Sequence, residues 1–216
     1  MKKQQSARRT FLSGLGAGLV VTGLDGAALR AQSPSAGGGR GFQPARHAQD
    51  DWLEQLAGVH RVVFDTTNAE GFDAALLYAN NFFEANNSGY GLKDSDLAVV
   101  IVARHDSTPL AYTDAMWAKY GASLTRRSRM KDPSTNQPPT NNIYRGRLEG
   151  LIKRGVHLAV CQMATRFLAS TISNNDGPDA ETAYKELTSN LVANAHMVPA
   201  GIVLVNRAQE RGYTLM

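Results

Sequence analysis

Cys161 is the only cysteine in the chain and the residue with the clearest chemical potential. A single thiol forms neither an intramolecular disulfide nor a thiolate zinc cluster, so it is packed and inert, bridged to another chain, or a reactive nucleophile. Cys161 follows the apolar run 156–160 and precedes a predicted helix. The unpaired N–H groups at a helix start favour a thiolate, whereas free cysteines are also among the most buried residues. Position alone leaves both interpretations open.

Arg104 and His105 form a second pair of candidates, directly after the apolar run 97–103. Arg104 can hold an anion or stabilise a thiolate, and His105 can carry a proton to or from sulfur. An ordinary surface histidine bonded to backbone explains His105 equally well. Because ligands bind beyond the carboxyl ends of parallel strands, we expect both residues on one sheet edge with Cys161. These three residues are the predicted catalytic residues.

No motif in the sequence indicates a metal or a nucleotide cofactor. The other histidines lack the His-x-His or His-Glu-x-x-His spacing of metal sites, and they are His47, His60, His157 and His196. His157 alternates with buried positions on a predicted strand, which favours a structural role. The turn at residues 66–71 has one glycine where a dinucleotide site needs three, and no Gly-x-Ser-x-Gly elbow occurs. We therefore predict no cofactor and no metal.

A basic cluster lies in the polar, proline-containing segment 123–142, which is predicted to be a long loop. Its members are Arg126, Arg127, Arg129 and Lys131. Such a cluster can guide an anionic ligand or partner towards a site. A solvated loop is the more ordinary interpretation of the same residues.

From about residue 50 onward, short apolar runs alternate with longer amphipathic ones, which is typical of a parallel sheet covered by helices. The predicted strands are 61–65, 97–103, 156–160 and 201–205, with a short edge strand at 213–216. The predicted helices are 51–56, 71–86, 108–120, 145–154, 163–172 and 180–195. The predicted fold class is therefore α/β, a single compact domain with a mainly parallel sheet of about five strands flanked by helices.

Residues 1–31 have the three-part pattern of a secretory signal, with a positive start, a weakly apolar run and small residues near Ala31. Arg8 and Arg9 resemble the twin-arginine consensus. Interruption of the apolar run by glycines and Asp25 disfavours a permanent membrane span, although an uncleaved anchor is the alternative. The sequence predicts a twin-arginine signal at 1–31, a flexible linker at 32–49, a domain at 50–216 and a periplasmic or otherwise exported location.

The net charge of +4 does not indicate nucleic-acid binding, because it belongs to the leader. Five basic residues but only one acid precede Gln32, so the rest of the chain carries no net charge. A neutral domain lacks the broad positive field that holds a phosphate backbone. We therefore predict that nucleic acid is not a partner.

Three stretches of the sequence resemble the DsrE/DsrF-like family, and specifically its exported twin-arginine members. The first is VIVARHDSTP at 100–109 with DAMWAKY at 114–120. The second, GVHLAVCQMAT at 155–165, is the most specific because a cysteine ends a strand that starts after glycine. The third is VPAGI at 198–202 with RAQERGY at 207–213. Together these stretches lie within residues 58–216.

The resemblance implies a compact α/β domain that forms trimers or hexamers and a cysteine, here Cys161, that accepts and passes sulfur as a persulfide. The expected function is thus an exported sulfur carrier or sulfurtransferase-like protein with a sulfur donor, an acceptor protein or a small thiol as partner. Two alternatives remain open. One is a non-catalytic oligomeric binding protein with a buried structural cysteine, and the other is a redox partner that forms a mixed disulfide between chains.

Overall fold

The computed structural model describes residues 43–175 and 177–216. The predicted leader and most of the predicted linker lie outside these residues. The described strands are β1 (His60–Thr66), β2 (Leu97–Ala103), β3 (Val156–Cys161), β4 (Ala195–Val198) and β5 (Thr214–Leu215). The α-helices are α1 (Trp52–Gln55), α2 (Ala69–Tyr90), α3 (Asp114–Leu124), α4 (Arg145–Lys153), α5 (Gln162–Ser173), α6 (Ala180–Ser189) and α7 (Gly201–Glu210). Among the described residues, no helix has both the length and the hydrophobicity that a membrane span requires.

The strands form one five-stranded sheet in the order β4-β3-β2-β1-β5, and every neighbouring pair is parallel. The central strand β2 is buried along its whole length, as expected for a parallel strand covered on both faces. Its alternate residues enter two different cores. The predicted α/β class with a mainly parallel sheet of about five strands is confirmed.

The two faces of the sheet are covered unequally. On one face, helices α2 to α6 contribute to a large apolar core around Phe72, Leu110 and Trp117. On the other face, a smaller core forms beneath α1 and α7, with Leu53 and Leu204 packed on Val100 and its neighbours. The face covered by α1 and α7 carries the side chains of the candidate site.

Two predicted elements near the C-terminus are wrong. Residues 201–205, predicted as a strand, form the start of α7, and the strand is instead Ala195–Val198. The apolar, β-branched run is helical because Leu204, Val205 and Ala208 share one buried face, at helical spacing. The predicted helix 180–195 ends at Ser189, so the chain returns early enough to add β4.

The predicted helix 108–120 is divided in two. Residues His105–Ala111 form a 3-10 helix that contains Pro109, and α3 begins only at Asp114. The break lies at Tyr112 and Thr113, whose backbone is extended. Tyr112 forms a β-bridge with Leu191, and its side chain is fully buried, so tertiary contacts override the local helical pattern here.

Candidate functional site

The register of the sheet brings the ends of the central strands together. Thr66 pairs with Ala103, Ala103 pairs with Val160, and Cys161 pairs with Val198. Arg104 therefore leaves β2 beside Cys161. The alternation of side chains along parallel strands places Arg104 and Cys161 on the face covered by α7. The sequence prediction that both lie on one edge of the sheet agrees with this placement.

Cys161, Arg104 and His105 line one open pocket with a volume of about 280 Å³. Arg127 from the long loop and the first residues of α5 and α7 complete its wall. Each helix start presents backbone N–H groups that have no partner within the helix. The pocket thus combines a thiol, two guanidinium groups and two helix N-termini.

Cys161 is the N-cap residue of α5, and only 7% of its surface is exposed. Its carbonyl accepts a hydrogen bond of 3.0 Å from Thr165 Oγ1, which in turn accepts one of 2.8 Å from the Tyr112 hydroxyl. Thr165 and Tyr112 are both fully buried. Burial raises the pKa of Tyr112, so it remains a neutral donor in this chain of hydrogen bonds. These two hydrogen bonds fix the first turn of α5 and with it the position of Cys161.

Arg104 is held by Asp65, the next-to-last residue of β1. Its Nε and Nη2 atoms donate two parallel hydrogen bonds of 2.7 Å to the carboxylate oxygens. These bonds raise the pKa of Arg104. The bidentate pair fixes the guanidinium plane and leaves its Nη1 donors free of Asp65.

The start of α7 lies directly against Arg104. A Cβ atom on Gly201 would be 2.6 Å from Arg104 Cβ and 2.8 Å from its Cδ, closer than real Cβ contacts. Only glycine therefore allows α7 to begin at this distance. This close approach brings the N-terminus of α7 to the pocket that contains Cys161.

Arg127 reaches the pocket because two groups position its guanidinium. Its Nε donates to Asp106, and its Cζ lies 4.7 Å from the centroid of the Phe167 ring on α5. The same Asp106 lies 3.8 Å from Nε2 of His105, which is beyond hydrogen-bond distance. Asp106 thus lies close to both Arg127 and His105.

His105 lines the pocket, but its side chain is 57% exposed. Its backbone is left-handed, with a φ angle of 58°. Ser107, two residues later, stabilises this turn, because its Oγ lies 2.9 and 2.8 Å from the carbonyl oxygens of Thr66 and Arg104 and donates its proton to one of them. No hydrogen bond joins His105 to Cys161 within the described part of the chain.

Exposed apolar side chains surround the mouth of the pocket. Met163 and Phe167 on α5 are 68% and 48% exposed, and Ile202 on α7 is 57% exposed. All three line the pocket. A ligand that reaches Cys161 therefore passes an apolar rim before it meets the arginines.

Sequence reasoning missed the two carboxylates that position the arginines. The sequence predicts Asp65 as the last residue of the strand 61–65 and assigns it no role in the site. Asp106 belongs to no recognisable motif, and a solvated loop is the more ordinary interpretation of the segment that contains Arg127. A polar residue at the end of a buried strand is the one signal that points to Asp65.

A second cluster of rings lies on the same face, at the β3–β4 edge. Nδ1 of His157 and Nε2 of His196 are 2.9 Å apart, and Trp52 stacks on His196 with ring centroids 4.0 Å apart. Burial lowers the pKa of His157 to about 4, helped by His196, and burial also lowers that of His196. Both rings are therefore neutral near pH 7. Within residues 43–175 and 177–216, no group of three or more His, Cys, Asp or Glu residues is arranged to hold a metal ion.

Comparisons with known proteins add little to this site. No family model matches the chain. No curated protein matches it. Among solved structures, it is similar to one described as "Structure of Protein of Unknown Function MTH1491 from Methanobacterium thermoautotrophicum", with 16% identity and a TM-score of 0.39 over 73% of this chain and 97% of that chain.

Proposed function

We propose that this protein is an exported sulfur carrier that accepts a sulfane sulfur on Cys161 and passes it to an acceptor thiol. One observation carries the proposal: the single thiol of the chain lines a pocket with Arg104 and Arg127 at the start of α5. Positive charge and a helix N-terminus beside a sulfur atom favour the thiolate, which is the nucleophilic form. The resemblance of residues 155–165 to the DsrE/DsrF-like motif supports the same assignment.

The proposed chemistry is thiol exchange, with no net oxidation. The Cys161 thiolate attacks the outer sulfur of a donor persulfide, R–S–SH, forming a new S–S bond as the donor S–S bond breaks and RS⁻ leaves. An acceptor thiolate then attacks the outer sulfur of the Cys161 persulfide, and the Cys161 thiolate is released. The persulfide proton travels with the transferred sulfur, so both steps balance.

The pocket residues have distinct parts in this sequence. Arg104 faces the developing negative charge with the donors that Asp65 does not use. Arg127, in the pocket wall, stabilises the negative charge of the leaving thiolate RS⁻. His105, being exposed, exchanges a proton with water and with the leaving thiolate.

The test is the mass of the native protein after incubation with a persulfide or polysulfide donor. We expect wild type to gain one sulfur atom and Cys161→Ser to gain none. No gain on wild type, or an equal gain on both proteins, would overturn the proposal. Alkylation of the product before analysis distinguishes a bound persulfide from adsorbed sulfur.

The exposed fraction of only 7% favours a second candidate, a non-catalytic binding protein in which Cys161 is a packing residue. This candidate predicts that iodoacetamide modifies Cys161 in the native protein no faster than local unfolding exposes it. The sulfur carrier predicts direct modification, with a rate that low, non-denaturing urea concentrations do not increase. The alkylation kinetics therefore separate the two functions.

A further inference from the structure

A second and larger cavity, of about 520 Å³, lies away from Cys161. Its wall is formed by the start of α3, by one face of α4 and by residues 192 and 193 before β4. Helix α4 leads into the amino end of β3 and residues 192 and 193 lead into that of β4, whereas the Cys161 pocket lies at the carboxyl ends. The two cavities share no lining residue.

The interior of this cavity is apolar. Leu148, Ile152 and Val192 provide aliphatic side chains, and Leu148 is buried in the main core. Ala115 and Ala193 lie at exposed positions of the wall, where side chains that end at Cβ leave the mouth open. A molecule inside would replace water on aliphatic surface, which is favourable.

Two hydrogen bonds from Asn142 fix one part of the cavity wall. The backbone N–H of Asn142 donates to Asp114 Oδ1 at 2.9 Å, and the Asn142 side chain donates to the carbonyl of Leu110 at 2.7 Å. Asn142 is buried, with only 3% of its surface exposed. These bonds fix the loop at Asn142 to the 3-10 helix His105–Ala111 and to the start of α3, so this part of the wall is held in place by the protein itself.

The charged groups of the wall balance one another. Arg145 on α4 bonds with both Asp114 and Glu149. Lys153 lies four residues after Glu149 on the same helix, so the wall contains two acids and two bases. The wall thus carries no net charge, so a buried ligand charge would meet no excess of opposite charge, and burial of an unbalanced charge is unfavourable. The wall therefore favours an uncharged ligand.

We propose that this cavity binds an uncharged, largely apolar small organic molecule. Its volume lies in the range of sites that enclose such molecules, roughly 300–1,000 Å³. The apolar interior supplies the affinity, and the balanced rim selects against ions. This proposal is independent of the sulfur chemistry of Cys161.

The test uses two fluorescent probes with the same framework, uncharged N-phenyl-1-naphthylamine and anionic 8-anilinonaphthalene-1-sulfonate. We expect the uncharged probe to bind the full chain with one site and increased fluorescence, and the sulfonate to bind at least about tenfold more weakly. Absence of binding by the uncharged probe, or tighter binding by the sulfonate, would overturn the proposal.

Two substitutions locate the bound probe. Ala115→Phe and Ala193→Phe each add a phenyl ring to the lining of the cavity, and each is expected to weaken binding at least tenfold. Ala85→Phe, at an exposed helical alanine outside the cavity, is the matched control and should bind as wild type does. Equal affinity in all variants, or loss of binding in Met163→Gln at the Cys161 pocket, would contradict this location.

The same variants test a second copy of the chain as the occupant. If Ala115→Phe converts a dimer into a monomer in sedimentation experiments while wild type fails to bind the probe, this surface is a subunit interface and the ligand proposal is wrong. If Cys161→Ser binds the probe as wild type does, the cavity and the sulfur site are separate. Loss of binding in Cys161→Ser would overturn the location.

Discussion

At the residue scale, two carboxylate–arginine pairs contribute to the pocket that contains the Cys161 thiol. Asp65 fixes Arg104, and Asp106 fixes Arg127, so each guanidinium is held by a carboxylate outside the pocket. The arginines keep further donors for a ligand because each uses only part of its fork. The adjacency of Arg104 and Cys161 was predictable, because both end parallel strands. The partner carboxylates were not predictable, because ion pairs depend on side-chain direction.

Arg104→Gln tests whether this guanidinium acts on the thiolate. A unit charge a few ångströms away contributes about 1–4 kcal/mol near a protein surface, so we expect alkylation by anionic iodoacetate to slow about tenfold or more. Neutral iodoacetamide should slow less, because it loses only the stabilisation of the thiolate. Arg147→Gln, which removes an ion pair with Asp73 far from the pocket, is the control. Unchanged iodoacetate rates in Arg104→Gln would exclude this role.

Gly201→Ala tests the close approach of α7 to Arg104. The new methyl group displaces either the helix or the arginine, and we expect the free energy of unfolding to fall by about 1–3 kcal/mol. Sulfur uptake by Cys161 should slow as well. In the control Gly150→Ala, the new Cβ meets no atom within 4 Å, and a helix-interior alanine should stabilise by about 0.5–1 kcal/mol. Equal effects of the two substitutions on urea unfolding would refute the steric argument.

At the scale of elements, the strands were easier to predict where both faces are buried. β2 and β3 were predicted nearly to the residue, because continuous apolar runs mark central parallel strands. β4 is an edge strand in which only Val198 is fully buried. Its apolar pattern is therefore weaker than that of the neighbouring run 201–205, which the sequence predicts as the strand. Because of that error, the sequence does not predict that a helix start at residue 201 forms part of the pocket wall. Packing against the sheet, rather than local propensity, makes this segment a helix.

The His157–His196 pair should make the β3–β4 edge sensitive to pH. Both rings have a lowered pKa in the folded protein, and that of His157 falls from 6.5 to about 4. Between these values the unfolded chain binds more protons than the folded protein, so stability is complete above about pH 6.5 and decreases as the pH falls towards about 4. The loss should be about 1 kcal/mol, because solvent screens these half-buried rings.

Urea unfolding at several pH values measures this effect. His157→Gln should flatten the pH dependence of the free energy of unfolding between about pH 6.5 and about pH 4. His60→Gln, an exposed histidine on β1, should keep the wild-type dependence. A His157→Gln protein with the wild-type slope would show that acid destabilisation arises elsewhere.

At the scale of the whole molecule, the sheet order determines where chemistry is possible. The central strands β2 and β3 end side by side, and the thinly covered face beneath α1 and α7 leaves their ends open to a pocket. The α/β class and the edge that carries the site were both predictable, because alternating patterns and strand ends are local signals. The apolar cavity between α3 and α4 was not, because it depends on how helices distant in sequence fit together.

Export is a further prediction at this scale. Replacement of Arg8 and Arg9 by lysine keeps the positive charge of the leader but removes the paired guanidinium groups. If the twin-arginine signal is read as proposed, the double variant should remain in the cytoplasm while wild type is recovered from the periplasmic fraction. Cell fractionation measures the distribution, and Lys2→Arg is the control. Equal export of the double variant would contradict the assignment.

The most direct measurement is a two-step sulfur transfer followed by intact mass on the folded protein. We expect that a persulfide donor adds one sulfur to Cys161, and that an added acceptor thiol then removes it and restores the original mass. A folded protein that takes up no sulfur, although the urea-unfolded chain does, would contradict the account by showing that Cys161 is sealed from the pocket.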